Sequence, residues 1–381
     1  MLNIQSKLPG VSTTIFTVMS KLAAEHNAIN LSQGFPDYAC DPNLVELVTK
    51  AMQDGFNQYA PMPGSPVLKE TIAAKVENLY KVKYNPDTEI TVTAGGTQAI
   101  FTALAAIINA GDEVIIFEPA YDSYAPTIKL LGGLVKTYEL APPDYAIDWD
   151  MVKKLFTSKT RMIILNSPQN PTGSILSADD MKALIKLVSG TDILILSDEV
   201  YEHLIYDEQK HQSVMLYPEL KQRSFIVASF GKLLHATGWK LGYCLAPEKL
   251  TKEFRKVHQF NVFSVNSPMQ QAIATYLQTP ANYTGIAAFF QEKRDYFRSL
   301  LAESRLELLP CNGSYFQCVS YRKISDEKDT DFSMRLIKEF GVATIPVSAF
   351  YQKGTDHKII RFCFAKEHET LALAAEKLKN I

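Results

Sequence analysis

Ser229-Phe230-Gly231-Lys232-Leu233-Leu234-His235-Ala236-Thr237-Gly238-Trp239-Lys240-Leu241-Gly242-Tyr243 is the stretch from which the rest of the chain is best read. Before it runs Phe225-Ile226-Val227-Ala228, and its end runs into Gly242-Tyr243-Cys244-Leu245-Ala246; both read as short buried strands. Ser229, Lys232 and Lys240 therefore sit on a loop at a strand end, where open α/β sheets bind ligands. An amine beside a small polar residue and three glycines, Gly231, Gly238 and Gly242, suits a lysine that carries a cofactor as an imine while backbone approaches the cofactor's phosphate. A solvated loop lysine beside turn glycines is the plainer reading of the same residues.

Working outward, apolar runs alternate with helical patterns. Residues 89–93, 113–117, 134–140, 160–165 and 192–197 read as strands. Helices are predicted over 42–54, 66–80, 97–109, 124–131 and 177–187; Ser177 caps the last, with Asp179 and Asp180 favouring its N-terminus. Continuous apolar strands separated by helices imply a mostly parallel sheet covered on both faces. Around residues 280–283 the texture changes. A charged amphipathic helix over 284–304, strands over 314–319 and 358–364 and a helix over 331–340 make an α+β part. The amphipathic helix over 14–26 has no strand to join and is expected to pack there. The expected division is a large domain over 41–282 and a smaller one from 1–40 with 283–381.

A chain of 381 residues is long enough for two such domains. Its 39 basic and 41 acidic residues leave a net charge of −2, so no positive field advertises nucleic acid or an anionic membrane. Five cysteines without a CxxC pair point to reduced thiols. The first residues lack a basic segment followed by an apolar one, and no run approaches 18 apolar residues. The expectation is a soluble cytoplasmic protein. There is no HExxH, and neither Cys311 nor Cys318 has a histidine at zinc spacing, so no metal is expected.

Several residues at strand ends are suited to chemistry. Gly95-Gly96-Thr97 follows a strand and opens a helix, so free N–H groups and the positive helix end converge as at a phosphate site; a tight glycine turn is the alternative. Tyr121 leaves the strand over 113–117 and offers a flat ring, or packs in the core. Asn170 precedes a proline that holds it extended, aiming its amide at a ligand or marking a plain turn. Asp198 ends a buried strand, with Tyr201 three residues on; the carboxylate needs a cation or several donors, unless it caps a helix. Arg361, amid Ile360 and Phe362-Cys363-Phe364, needs a carboxylate from the protein or from a substrate.

Taken in order along the sheet edge, this set resembles the fold-type I pyridoxal-phosphate enzymes, specifically the class I aminotransferases, over nearly the whole chain. Leu31-Ser-Gln-Gly-Phe-Pro-Asp37, Asn57-Gln-Tyr-Ala60, Ser197-Asp-Glu-Val-Tyr201, Ser229-Phe-Gly-Lys232, Ala236-Thr-Gly-Trp-Lys-Leu-Gly242 and Ile360-Arg-Phe-Cys-Phe-Ala-Lys366 are similar to the kynurenine aminotransferase branch. Within it, Thr14-Ile-Phe-Thr17, Gln58-Tyr-Ala-Pro-Met62 and Ser264-Val-Asn266 resemble the bacterial methionine aminotransferases.

The resemblance implies pyridoxal 5'-phosphate bound to Lys232, which would also move the proton at the substrate Cα. Asp198 would pair with the pyridine nitrogen, Asn170 and Tyr201 would bond the ring oxygen, and Tyr121 would stack on the ring. Gly95, Gly96, Thr97, Ser229 and Lys240 would hold the phosphate, with Tyr59 reaching in from a second subunit of a homodimer. Arg361, helped by Gly34 and Asn170, would grip the substrate α-carboxylate. Two departures stand out: many class I members have arginine at the position of Lys240, though lysine is usual in this branch, and Leu233-Leu234 replaces a more polar or aromatic pair.

By the same resemblance Phe16 and part of residues 263–266 would line the side-chain pocket. An aromatic there with no evident second arginine favours methionine, phenylalanine, tyrosine, kynurenine or histidine as donor, and a 2-oxo acid as acceptor. The rival activity on this scaffold is a carbon–sulfur β-lyase. A ligand sensor of a transcription regulator is a remoter alternative, since no basic winged-helix segment precedes the helix around Phe16.

Overall fold

The computed structural model describes residues 4–381. Thr14 caps the first helix, Ile15–Glu25, by accepting from the Thr17 N–H. The chain then forms a two-residue strand, β1 (Ile29–Asn30). Seven strands follow: β2 (Ile90–Thr93), β3 (Glu113–Glu118), β4 (Leu134–Glu139), β5 (Thr160–Asn166), β6 (Leu194–Asp198), β7 (Ser224–Ser229) and β8 (Gly242–Leu245). They form one sheet in the order β2-β8-β7-β6-β5-β3-β4. Only β8 runs antiparallel to its neighbours.

The expected mostly parallel, doubly covered sheet is what these strands build, because their central members are apolar on both faces. Val114, Ile116, Met162, Ile164, Phe225 and Val227 pack on one side with the helix Gly96–Ile107. Their sequence neighbours Ile115, Phe117, Ile163, Leu165 and Ile226 pack on the other. Period-two alternation thus feeds two cores at once. Edge strand β4 is only half-buried and carries Lys136 and Glu139, which discourages further pairing.

The C-terminal part adds β9 (Glu307–Leu308), β10 (Phe316–Ser320), β11 (Val342–Ala343), β12 (Ile345–Pro346) and β13 (Ile359–Cys363). An antiparallel sheet runs β12-β13-β10-β9, over a core containing Phe297, Phe332, Phe362 and Tyr321. The first helix packs on Asp329–Phe340 in this part. The expectation that the N-terminal segment joins no strand needs correction: β1 pairs in parallel with β11 through Ile29 with Val342 and Asn30 with Ala343. A two-residue pairing is too short for alternation to register in a sequence.

Register brings the future site together at one sheet edge. Asn166 lies opposite Asp198, and Gly242 lies opposite both Ser229 and Thr93. The approach at Gly242 is close: a Cβ there would meet the Ala228 carbonyl oxygen at 2.6 Å and the Gly95 carbonyl carbon at 3.1 Å. Gly242→Ala is expected to destabilise the chain by about 1–3 kcal/mol in chemical denaturation, because the obstacle is backbone. Gly238→Ala, where a Cβ meets nothing within 4 Å, should change stability by less than about 0.5 kcal/mol.

Candidate active site

After β7 the chain turns at Ser229 into the short helix Phe230–Leu233, which buries Phe230 and Leu233 and turns Lys232 into a cleft. The Lys232 Nζ donates to Tyr315 Oη at 2.7 Å and to the Gly34 carbonyl at 3.3 Å, and Tyr315 Oη donates to the same carbonyl at 2.5 Å. Burial lowers the amine to a pKa of about 8, helped by the positive charges of Lys240 and Arg361 and opposed by Asp198. A fraction of this amine is therefore neutral near neutral pH.

Asp198 closes β6 and is 3% exposed. Tyr124 Oη donates to its Oδ2 at 2.5 Å, and the Val200 N–H donates to Oδ1 at 3.3 Å. Burial nevertheless raises the carboxyl to a pKa of about 6, against those two donors. The helix-cap alternative is not what forms, since β6 is followed by a turn rather than a helix. Tyr201, also buried, sets its ring edge-on to Tyr315 and Phe316, at 5.1 and 5.9 Å.

The glycine turn after β2 leads into the twelve-residue helix Gly96–Ile107. Gly95 has φ +82°, where a side chain would be strained, and a Cβ on it would lie 3.5 Å from both Cε and Nζ of Lys240. The Lys240 amine thus overhangs a helix N-terminus, adding a positive charge to its attraction for an anion. Tyr121 Oη and Thr97 Oγ1 are bonded at 3.1 Å beside it.

Arg361 comes from β13 and is fully buried. One terminal nitrogen donates to Asn170 Oδ1 at 2.7 Å and the other to the Ser32 carbonyl at 2.9 Å, while Nε has no partner. The guanidinium lies 3.9 Å from the Phe316 ring centroid, with Phe350 and Phe16 at 5.3 and 5.5 Å. No carboxylate forms an ion pair with it among the described residues, so the structural-pair alternative is not realised. A buried cation held only by neutral oxygens and ring faces is a strong receptor for a carboxylate.

The cleft therefore brings together Gly96, Thr97, Tyr121, Asn170, Asp198, Tyr201, Ser229, Lys232 and Lys240. Gly95 lies beside Lys240, Gly34 touches Lys232, and Phe16 faces Arg361. Tyr59 is not among them. In the single chain it is 81% exposed, packs on Phe263 at 5.2 Å and shares a surface groove with residues 264–268. Sequence reading did not single out Tyr124, Tyr315 or Asn166 for the site. Asn166 accepts from the Asn170 N–H at 2.9 Å and donates to the Asp198 carbonyl at 3.0 Å, bracing both. Only its place at the end of an apolar strand, next to residues already singled out, could have flagged it.

A family model for aminotransferases of class I and II matches residues 26–378. The chain belongs to that family. It is 48% identical to methionine aminotransferase of Escherichia coli over 99% of this chain and 98% of that one. It is 34% identical to a probable N-succinyldiaminopimelate aminotransferase of Mycobacterium tuberculosis, covering 98% and 97%, and 33% identical to human kynurenine–oxoglutarate transaminase 1, also covering 98% and 97%. Among solved structures, the methionine aminotransferase YbdL from Escherichia coli superposes with a TM-score of 0.98 at 48% identity, covering all of both chains.

Class I aminotransferases act on amino acids and 2-oxo acids, and membership implies pyridoxal phosphate. The residues present fit that group: an amine of lowered pKa, an anion-attracting glycine turn overhung by a lysine, and a buried acid without a cationic partner. Among the described residues no cluster of three or more His, Cys, Asp or Glu side chains is suited to a metal, and no helix is long and apolar enough to cross a membrane.

The raised Asp198 pKa gives a signed expectation for the cofactor-free chain. Its protonated form adds stability below the unfolded value near 4, and that contribution is lost as pH rises through about 6. Asp198→Asn removes the titration. The stability of wild type minus variant should therefore fall by on the order of 3 kcal/mol between pH 4 and pH 7 in urea denaturation. A difference that stays flat would contradict it.

Proposed function

We propose that this aminotransferase moves the amino group of methionine, or of another uncharged or aromatic amino acid, to a 2-oxo acid, holding pyridoxal phosphate at Lys232. The observation that carries the reading is the pairing, around one cleft, of a half-buried lysine of lowered pKa with a fully buried arginine that lacks a carboxylate partner. When bound, the cofactor supplies an aldehyde and a ring that accepts electrons.

Lys232 would anchor that group and would also take the proton from the substrate Cα; a pKa near 8 suits an amine that must both accept and return it. Asp198 would keep the pyridine nitrogen protonated, and that positive charge would offset the cost of burying its own carboxylate. Asn170 and Tyr201 would hold the ring oxygen, and Tyr121 would support the ring. The N–H groups at Gly95, Gly96 and Thr97, with Ser229 and Lys240, would hold the phosphate.

Arg361, with Asn170 and Gly34, fixes the α-carboxylate so that the Cα–H bond stands toward Lys232. Phe16, Phe316 and Phe350 surround Arg361 with rings rather than a second cation, which favours uncharged side chains over dicarboxylates. Methionine as donor draws support from the Escherichia coli relative, and aromatic donors from the human one. Tyr59 would reach the cleft of a second subunit, in a homodimer of protomers divided into 41–282 and 1–40 with 283–381; its 81% exposure and the groove it shares with residues 264–268 support that reading.

Single half-reactions, followed by loss of the bound cofactor's visible absorbance, should rank methionine and phenylalanine above aspartate. Aspartate leading would overturn the pocket reading, and pyruvate with ammonia from a sulfur amino acid would favour the β-lyase. Borohydride reduction should leave a pyridoxyl group on Lys232 by peptide mass spectrometry and none in Lys232→Ala. Arg361→Lys, which exchanges a two-point grip for a point charge, should lower kcat/KM for methionine by roughly 100-fold.

A further inference from the structure

Behind the turn that carries Asp198 and Tyr201 lies a second set of charges to which the proposed chemistry assigns nothing. The turn alternates. Asp198 and Tyr201 line the cleft, whereas Glu199 and Glu202 point away from it and are 2% and 8% exposed. Each of the two is well bonded. Glu202 Oε1 accepts from Lys75 Nζ at 2.7 Å and from Tyr243 Oη at 3.0 Å, and its Oε2 accepts from Tyr80 Oη at 2.6 Å. Lys75 also donates to Tyr243 Oη at 3.0 Å. Glu199 Oε1 accepts from Ser197 Oγ at 2.7 Å and the Val214 N–H at 3.3 Å, and His211 Nε2 lies 2.8 Å from its Oε2.

The partners come from elements that also build the site. Lys75 and Tyr80 belong to the helix Pro66–Tyr80, and Tyr243 follows Gly242, whose backbone abuts the Gly95-Gly96 turn. Burial alone would push the Glu202 carboxyl up, but Lys75 and His203 hold it well below the usual carboxylate range. A buried ion pair contributes little net stability over a well-packed apolar pair, yet losing one partner leaves a costly charge. Its more useful property is directional: several short bonds to one carboxylate admit a single placement of the backbone that carries it.

We infer that Lys75, Glu202 and Tyr243 are positioning residues, whose buried network fixes the Asp198–Tyr201 turn, and with it the two side chains that face the cofactor, relative to the phosphate turn. The inference rests on the cofactor assignment of Asp198 and Tyr201, but part of its test does not.

The test measures amide hydrogen–deuterium exchange in the cofactor-free chain and the dissociation constant for pyridoxal phosphate, in wild type, Glu202→Gln and Tyr243→Phe. Glu202→Gln keeps an oxygen for the hydroxyls and removes the charge that holds Lys75. Exchange in the peptide over 197–203 should accelerate about tenfold while peptides of β3 and β5 stay unchanged, and cofactor affinity should fall about tenfold. Tyr243→Phe, which leaves the ion pair intact, should shift both readings in the same direction by about threefold, and it decides the matter if Glu202→Gln does not fold. Exchange that is unchanged at 197–203, or that rises equally throughout the chain, would overturn the inference and leave the network a merely structural one. Localised exchange with no cofactor uptake even by wild type would sink the cofactor reading and leave the positioning role standing.

Discussion

A guanidinium removed from water without a carboxylate beside it is the constraint on which this site depends. Arg361 is carried by β13 in the C-terminal part, bonds Asn170 after β5 in the large sheet, and bonds Ser32 just after β1. Three distant segments therefore meet at one cation, and the two that bond it each offer a neutral oxygen rather than a charge. Aromatic faces stabilise the cation only partly. The folded chain thus keeps a standing attraction for an anion at this buried point.

Desolvation tunes the other two ionisable groups of the cleft in opposite senses that serve the same end. It lowers Lys232 toward a neutral amine and raises Asp198 toward a neutral acid. Without a cofactor, the cheapest state of the cleft moves toward fewer charges. On the proposed assignment, a pyridinium bound against Asp198 would reverse the balance on that side and make the carboxylate the preferred form. The energy of burying these groups would then be offset when the cofactor enters.

Much of the architecture was legible in the residues. The seven strands of the large sheet fall within about two residues of where apolar runs end, because strands buried on both faces must be apolar throughout. The helix over 177–187 was legible through its cap: Ser177 and Asp180 form the reciprocal capping pair. Less was visible where the buried face of a helix is itself partly polar. The helix Glu248–Asn261 buries Thr251 and His258 beside Phe254, and Ser267–Tyr276 buries Gln270 beside Ala272, Ile273 and Ala274, so apolar residues alone do not mark either one. Tyr124 and Tyr315 bond Asp198 and Lys232 across 74 and 83 positions, and nothing local distinguishes them from core tyrosines.

The order of small motifs at strand ends, Gly95-Gly96-Thr97, Asn170, Asp198 with Tyr201, and Ser229 with Lys232, was set by sequence alone, because a parallel sheet must bring successive strand ends to one edge. Tertiary structure decided which charges would have partners. Arg361 has none of its own sign's complement, Glu202 has several donors, and Tyr59 points out of its own chain, since desolvation and partnering are properties of the space between elements and leave no trace in a residue's neighbours along the chain.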